Sequence, residues 1–286
     1  MAEKQMDGLK KDIRQTNRLE KHEPQQLGRP QADGKSDPEI LQALSRGLAV
    51  LASFGEDRPS MTIAEAARAT GLTRATVRRV LFTLASLGYA EEDRNRRWSL
   101  TARVLELGFS YLSSIDIWEL AYPFMRHVSE VTGEACSVTV LDGDSSVYVA
   151  RVPANRVMSV ALGIGSRLPA WVASHGRVLL CERAEEDLER YLRNQPRKPY
   201  TEQTIWEIGP LMTEIRRVRE QGYALVVEEM EAGLMALAVP IRDRRGQITA
   251  ALHISSHSSR TSTERALNNF LQPLQEAAEN IRQAMI

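Results

Sequence analysis

Residues 62 to 97 read TIAEAARATGLTRATVRRVLFTLASLGYAEEDRNRR, two short amphipathic runs parted by one glycine and followed by a charged turn. This order leaves few folds open. In the first run Thr62 and Glu65 stand at capping-box spacing, Ile63, Ala66, Ala67 and Leu72 are apolar, and Gly71 is placed to stop a helix. In the second, Thr73 is an N-cap residue and Val77, Val80, Leu81 and Leu84 fall on one face. An earlier apolar series, Ile40, Leu41, Leu44, Leu48, Val50 and Leu51, predicts a helix that ends at Phe54-Gly55. After Gly88, the stretch YAEEDRNRRWSLT predicts two strands around a turn at Asp93 to Arg97. Three helices and a hairpin in this order make a winged helix-turn-helix over residues 38–100.

The polar side of the second run carries Thr73, Arg74, Ala75, Thr76, Arg78 and Arg79, away from its apolar residues. A recognition helix needs this division, because arginine bonds guanine edges or phosphates in the major groove and threonine meets phosphates or a thymine methyl. Arg74, Ala75 and Arg78 are expected to face the bases, and Thr62, at the start of the supporting helix, is expected to join them in binding DNA. Arg94, Arg96 and Arg97 in the hairpin turn are suited to gripping the adjacent backbone or minor groove. Glu91, Glu92 and Asp93 oppose this, and surface arginines are common without any ligand. The ordered constellation carries the expectation of double-stranded operator DNA as partner. Overall charge does not, since 37 Lys and Arg balance 37 Asp and Glu.

With 286 residues, 43% of them hydrophobic and 26% charged, the chain has room for two packed domains. Residues 1–37 cannot close a core and are expected to be a mobile tail. Residues 101–116 predict a linker helix with Val104, Leu105, Leu107, Phe109 and Leu112 as its apolar residues. From 117 to 286 the pattern predicts an α+β domain with an antiparallel sheet covered by helices. Its elements are a helix over Trp118 to Val131, a hairpin turning at Asp142-Gly143, a strand near Met158 to Leu162, and helices at Ser174 to Cys181, Ala184 to Leu192 and Ile205 to Gln221. Strands at Ala224 to Glu228, Met235 to Pro240 and Ile248 to Ser255 and a helix from Ser262 to Met285 complete it. The two cysteines, Cys136 and Cys181, are too few for a disulfide framework, which suits a reducing cytoplasm. The apolar window Leu234 to Ile241 is far shorter than the roughly 20 residues that span a bilayer, and the N-terminus lacks a signal-peptide core.

The second domain is expected to hold a small organic acid. The stretch Gly163 to Gly176 brings Arg167, Trp171, Ser174 and His175 to a predicted helix start, a place that attracts carboxylates. In the last strand His253 and Ser255 share a face opposite Leu252 and Ile254. Arg167 is as readily a surface ion-pair partner as a ligand contact, and Trp171 as readily core as a stacking wall. No catalytic, metal-binding or cofactor-binding residue is expected. Ser174 lacks a G-x-S-x-G elbow, the Gly163 to Gly165 run lacks a third glycine and a βαβ context, and His175, His253 and His257 lack a fourth ligand. Glu228-Glu229 reads as structural, and RAEEDLER as a solvated face.

The runs RGLAVLASF, TIAEAARATGLTRATVRRVLFTLASLGYAEED and RRWSLTARVLELGFSYLSS resemble the DNA-binding half of the isocitrate-lyase-regulator (IclR) family of bacterial transcription factors. GSRLPAWVASHGRVLL, REQGYALVVEEMEAGLMALAVPIRD and GQITAALHIS resemble its effector-binding half. The likeness covers residues 40 to 286. RLPA and GRVLL are similar to the subgroup governing the β-ketoadipate pathway and related aromatic-acid catabolism. The resemblance implies a winged helix, a linker helix, a GAF-like effector domain, and dimers that pair into tetramers. It places the pocket at Ser174, His175, Val226, Ala236, Ala238, His253 and Ser255. The family often has a polar residue at the position of Val226, a Cys at that of Ala236, and small residues at those of His175 and His253. These departures favour an aromatic acid over one of two or three carbons. The expected function is an effector-controlled regulator of an aromatic-compound or carboxylic-acid catabolic operon, with RNA polymerase as a further partner. Two other readings stay open: a ligand-independent repressor whose second domain only oligomerises, and a metal-binding or enzymatic second domain.

Overall fold

The computed structural model describes residues 40–55, 57–112, 117–154 and 162–285. The N-terminal tail, most of the strand expected near Met158 to Leu162, and residues 113–116 of the expected linker lie outside the described residues. The chain divides into two compact units between Gly108 and Phe109.

The first unit contains helices α1 (Gln42–Ala52), α2 (Ile63–Thr70) and α3 (Arg74–Ser86), with strands β1 (Ser60–Met61), β2 (Ala90–Glu92) and β3 (Trp98–Leu100). The strands form an antiparallel sheet in the order β1-β3-β2. Both bonds of the Thr62 and Glu65 capping box are present, and Gly71 ends α2 in the left-handed region at φ 69°. The Thr73 hydroxyl caps α3 by accepting from the Thr76 N–H. Val50, Met61, Ala66, Val77, Leu81 and Trp98 form the core that these caps aim inward. Burying each of the larger ones contributes on the order of 2 kcal/mol. A short 3-10 turn at Ala102–Val104 runs into α4 (Leu105–Leu112), where Leu105, Leu107, Phe109 and Tyr111 are exposed.

The second unit is built on a six-stranded antiparallel sheet. In chain order it has α5 (Ile117–Thr132), β4 (Ala135–Asp142), β5 (Ser145–Val152), β6 (Arg167–Pro169), α6 (Ser174–Leu180), α7 (Glu185–Asn194), α8 (Ile208–Gln221), β7 (Ala224–Val227), β8 (Leu234–Arg242), β9 (Ile248–His257) and α9 (Thr263–Ala284). The sheet order is β6-β5-β4-β9-β8-β7. One face packs against α5 and α9 through Met125, Val138, Leu237, Leu252, Leu274 and Ile281. The other packs against α6, α7 and α8 through Leu180, Leu188, Leu211, Ile215, Ala238 and Ala251. The expected α+β architecture is therefore present. Strands β1 and β6 were not expected, because two or three residues carry no readable alternation. Among the described residues no helix is long and apolar enough to cross a membrane.

Candidate functional site

Each unit holds one candidate site. In the first, Arg74, Ala75, Arg78 and Arg79 are all exposed along α3 while Val77, Leu81 and Leu84 are buried beneath them. The Arg78 guanidinium lies 5.3 Å from the centre of the half-exposed Phe82 ring, which holds it along the outer face. The threonines serve the helix ends. Thr62 Oγ1 accepts from the Glu65 N–H at 3.3 Å and donates to its carboxylate at 3.1 Å, and the Thr73 and Thr76 hydroxyls lie 2.9 Å apart. The Thr62 N–H is the first cause that holds the Glu65 carboxyl below the ordinary carboxylate range.

In the hairpin turn the three arginines separate. Arg94 and Arg96 are exposed, and Arg96 has φ 57°. Arg97 turns back, giving Nε to Ser60 Oγ at 3.0 Å and Nη2 to the Ser60 carbonyl at 2.7 Å, with Glu65 at 3.3 Å. It ties the wing to the start of α2. Asp93 builds the turn by accepting from the N–H groups of Asn95 and Arg97.

In the second unit, cross-strand register places the residues of the α6-facing side of the sheet. Val226, Ala236, Ser255 and Ala135 form one row, and Ala224, Ala238, His253, Ser137 and Arg151 the next. Pro240, Ala251, Thr139 and Tyr148 form the third. Arg151 and Tyr148 share this side because of a bulge opposite Val138/Thr139. It turns both Val149 and Ala150 toward α5 and α9. Above the rows α6 supplies Ser174 and His175. Its Gly176 lies so close to the preceding loop that a Cβ would stand 2.1 Å from the Ala170 carbonyl.

These elements gather three rings. His175 and His253 lie 4.3 Å apart by ring centres, and Tyr148 meets both edge-on at 5.4 and 5.2 Å. The Tyr148 hydroxyl is 3.4 Å from His175 Nε2. Leu168 and Ala173 pack beside Tyr148, with Leu162 and Met230 completing an apolar wall. Among the described residues, four buried polar atoms here have no hydrogen-bond partner: Ser174 Oγ, Thr139 Oγ1, His175 Nδ1 and His253 Nδ1. Burial pushes the His175 imidazole down to about 3. Burial first, then the charges of His175 and Arg151, holds His253 well below its ordinary value. Burial also pushes the Tyr148 phenol up.

Of the residues expected in the pocket, Ser174, His175, Val226, Ala236, Ala238, His253 and Ser255 are brought onto this side of the sheet. Two are not. Arg167 stands on the edge strand β6, 44% exposed, and bonds the Asp142 carboxylate at 2.6 Å and its carbonyl at 3.1 Å, so it is a surface ion-pair partner. Trp171 is buried in the α6–α8 core, stacked on Tyr200, so it is core and not a ligand wall. Tyr148, Thr139, Ser137 and Arg151 were not expected. Their parity was the only available signal, and the bulge scrambles it in β5. Arg177 was also missed. It is wholly buried and grips Glu229 through two bonds of 2.7 and 2.6 Å, while its Nε reaches the Trp171 carbonyl. Glu229 also accepts from the Ile205 N–H, in keeping with the structural role read for it.

His257 is exposed and bonds Ser259. Among the described residues no group of three His, Cys, Asp or Glu is placed to hold a metal ion. Two open surface grooves, one at Asp144, Arg183 and Tyr191 and one at Glu276 and Glu279, share no residue with the ring cluster.

Comparison with known proteins covers both units. The family model described as "Bacterial transcriptional regulator IclR C-terminal" matches residues 109–283, and that described as "IclR helix-turn-helix domain" matches residues 43–94. The chain is 39% identical to the Pca regulon regulatory protein of Pseudomonas putida over 86% of this chain and 84% of that one. A solved transcriptional regulator from Rhodococcus sp. RHA1 is 43% identical, with a TM-score of 0.77 over 85% of this chain and 98% of that one. An IclR homologue from Microbacterium hydrocarbonoxydans, solved in complex with 4-hydroxybenzoate, is 25% identical with a TM-score of 0.75 over 84% and 98%.

Proposed function

This chain belongs to the IclR family of bacterial transcriptional regulators, and from that premise we propose that it reads an operator with α3 and its wing under the control of a small aromatic acid. The observation that carries the effector half is the set of four unsatisfied polar atoms beside the apolar wall of Leu168, Ala173 and Met230. Buried polar groups without partners are rare and costly, and a ligand with a polar end and a flat apolar body satisfies both halves of this site. The 4-hydroxybenzoate complex of the Microbacterium homologue supports an aromatic monocarboxylate, and the Pseudomonas relative's tie to a Pca regulon supports a catabolic operon as target.

On the DNA side, Arg74, Ala75 and Arg78 face base edges, with Thr73, Thr76 and Arg79 near the phosphates and Arg94 and Arg96 on the adjacent backbone. Thr62 and Arg97 act through the shape of the domain. Exposed apolar residues of α1 (Leu44 and Leu48) and α4 (Leu105 and Phe109) support a homodimer, or a tetramer of two dimers, over a two-fold operator. The effector shifts operator occupancy by binding two arrangements of the protein unequally.

A thermal-shift screen of the full chain against protocatechuate, 4-hydroxybenzoate, β-ketoadipate, pyruvate and glyoxylate tests the reading. A ligand at a hundredfold excess over its Kd stabilises by about 2.7 kcal/mol, so an aromatic hit that also changes mobility-shift binding is expected. A shift with pyruvate or glyoxylate alone overturns the aromatic assignment.

A further inference from the structure

We propose that the His175–His253 pair is the counter-ion of the effector's carboxylate, and that one of the two imidazoles takes up a proton from water as the acid binds. This rests on the effector reading above and says how that site recognises its ligand.

Among the described residues, α6 brings His175 and Ser174, β9 His253 with Ser255 in the neighbouring row, β4 Ser137 and Thr139, β5 Tyr148 and Arg151, and β8 Ala236, Ala238 and Pro240. The next charged side chain on α6, Arg177, is already joined to Glu229. No carboxylate is among these groups. All four unsatisfied atoms can act as donors: two hydroxyls, and two imidazole nitrogens whose rings lie 4.3 Å apart. A cluster of orphaned donors without an acid is an anion receptor.

Its charge state follows. A buried imidazole without a counter-charge stays neutral, and Arg151 in the same row as His253 opposes imidazolium further. Two imidazolium rings at this separation repel each other, so at most one is charged. A carboxylate arriving beside Nδ1 reverses the balance, because a neighbouring negative charge favours the protonated ring and offsets the repulsion from Arg151. The proton goes from water to an imidazole nitrogen, and no covalent bond changes. The two histidines thus select an acid over its neutral analogue, and binding tightens as pH falls.

The test is calorimetric titration of the full chain with 4-hydroxybenzoate between pH 5.5 and 8, in pairs of buffers with different heats of ionisation, and with 4-hydroxybenzamide as the neutral analogue. Net uptake approaching one proton per acid bound is expected toward pH 5.5, with affinity rising up to about tenfold per pH unit. The amide should bind weakly and take up none. The double variant His175→Asn/His253→Asn should abolish the uptake, and nitrogen-15 shifts of the unaltered protein should show one imidazole becoming imidazolium on saturation. That last measurement keeps the proposal falsifiable if a variant does not fold. Saturable binding without proton uptake at any pH overturns the proposal and leaves the aromatic-effector reading intact. Undiminished uptake in the double variant places the proton outside the pair, on the ligand's own carboxyl for one, and also overturns it. Failure of 4-hydroxybenzoate, benzoate and protocatechuate to bind at any pH overturns both.

Discussion

Arg94 and Arg97 stand three residues apart in one turn, yet only one of them has its charge free for a ligand. Arg97 spends its guanidinium on Ser60 and Glu65, whereas Arg94 is exposed. Arg94→Ala should therefore leave the melting temperature unchanged and lower the salt slope of operator binding by about one, as expected for one lost phosphate contact. Arg97→Ala should lower the melting temperature by a few degrees, because the wing loses its tie to α2, and its DNA defect should shrink on cooling. Arg78→Ala should weaken operator binding by about tenfold without altering stability; unchanged affinity would remove Arg78 from the reading face. The sequence shows three equivalent basic residues here. The partner that separates them, Ser60, lies 37 positions away, a distance at which local pattern is silent. The same limit hid Arg177, whose partner Glu229 is 52 positions on. His253 and Ser255 were legible because strand parity alone puts them opposite Leu252 and Ile254.

At the scale of elements, α6 and β5 decide the effector site. Helix α6 is held down by Gly176 against Ala170 and by Arg177 against Glu229 and the Trp171 carbonyl, so His175 sits over the sheet at a fixed height. Glu229→Gln leaves a buried guanidinium without its counter-charge and should cost about 3–5 kcal/mol in a urea-unfolding experiment. Replacing Arg177 and Glu229 together with Met and Leu should recover much of that, since the penalty belongs to the unpaired charge and not to the absence of the pair. A double variant no more stable than Glu229→Gln would show that the bonds to Trp171 and Ile205 matter more. The long strands and helices were legible from periodicity, with ends shifted by a few residues: the helix read from Ile205 begins at Ile208. The bulge in β5 was not legible. Strict alternation sets Tyr148 and Arg151 on opposite sides, and only the extra residue beside Val138/Thr139 reunites them.

For the whole molecule, the two buried imidazoles tie stability to pH. Burial holds His175 at about 3 and lowers His253 in the same direction, whereas in the unfolded chain each titrates near the ordinary histidine value of about 6.5. Below that value the unfolded chain binds more protons than the folded one, so stability is fully present above about pH 6.5 and is lost as pH falls toward 3. Between pH 6.5 and 5, before most carboxylates titrate, His175 should remove about 2 kcal/mol, with His253 acting in the same direction. Urea midpoints of the full chain across this interval should fall accordingly. In His175→Asn or His253→Asn the fall should be reduced, because asparagine has no proton to gain. Effector opposes the trend: an acid bound to a protonated imidazole raises the folded-state proton affinity, so the pH dependence should flatten in saturating 4-hydroxybenzoate and the ligand-induced gain in midpoint should be larger at pH 5.5 than at pH 7.5. A midpoint that is flat from pH 7.5 to 5 in the ligand-free protein would show that the two rings are hydrated in solution, and the closed cluster would then not describe the state that receives the acid.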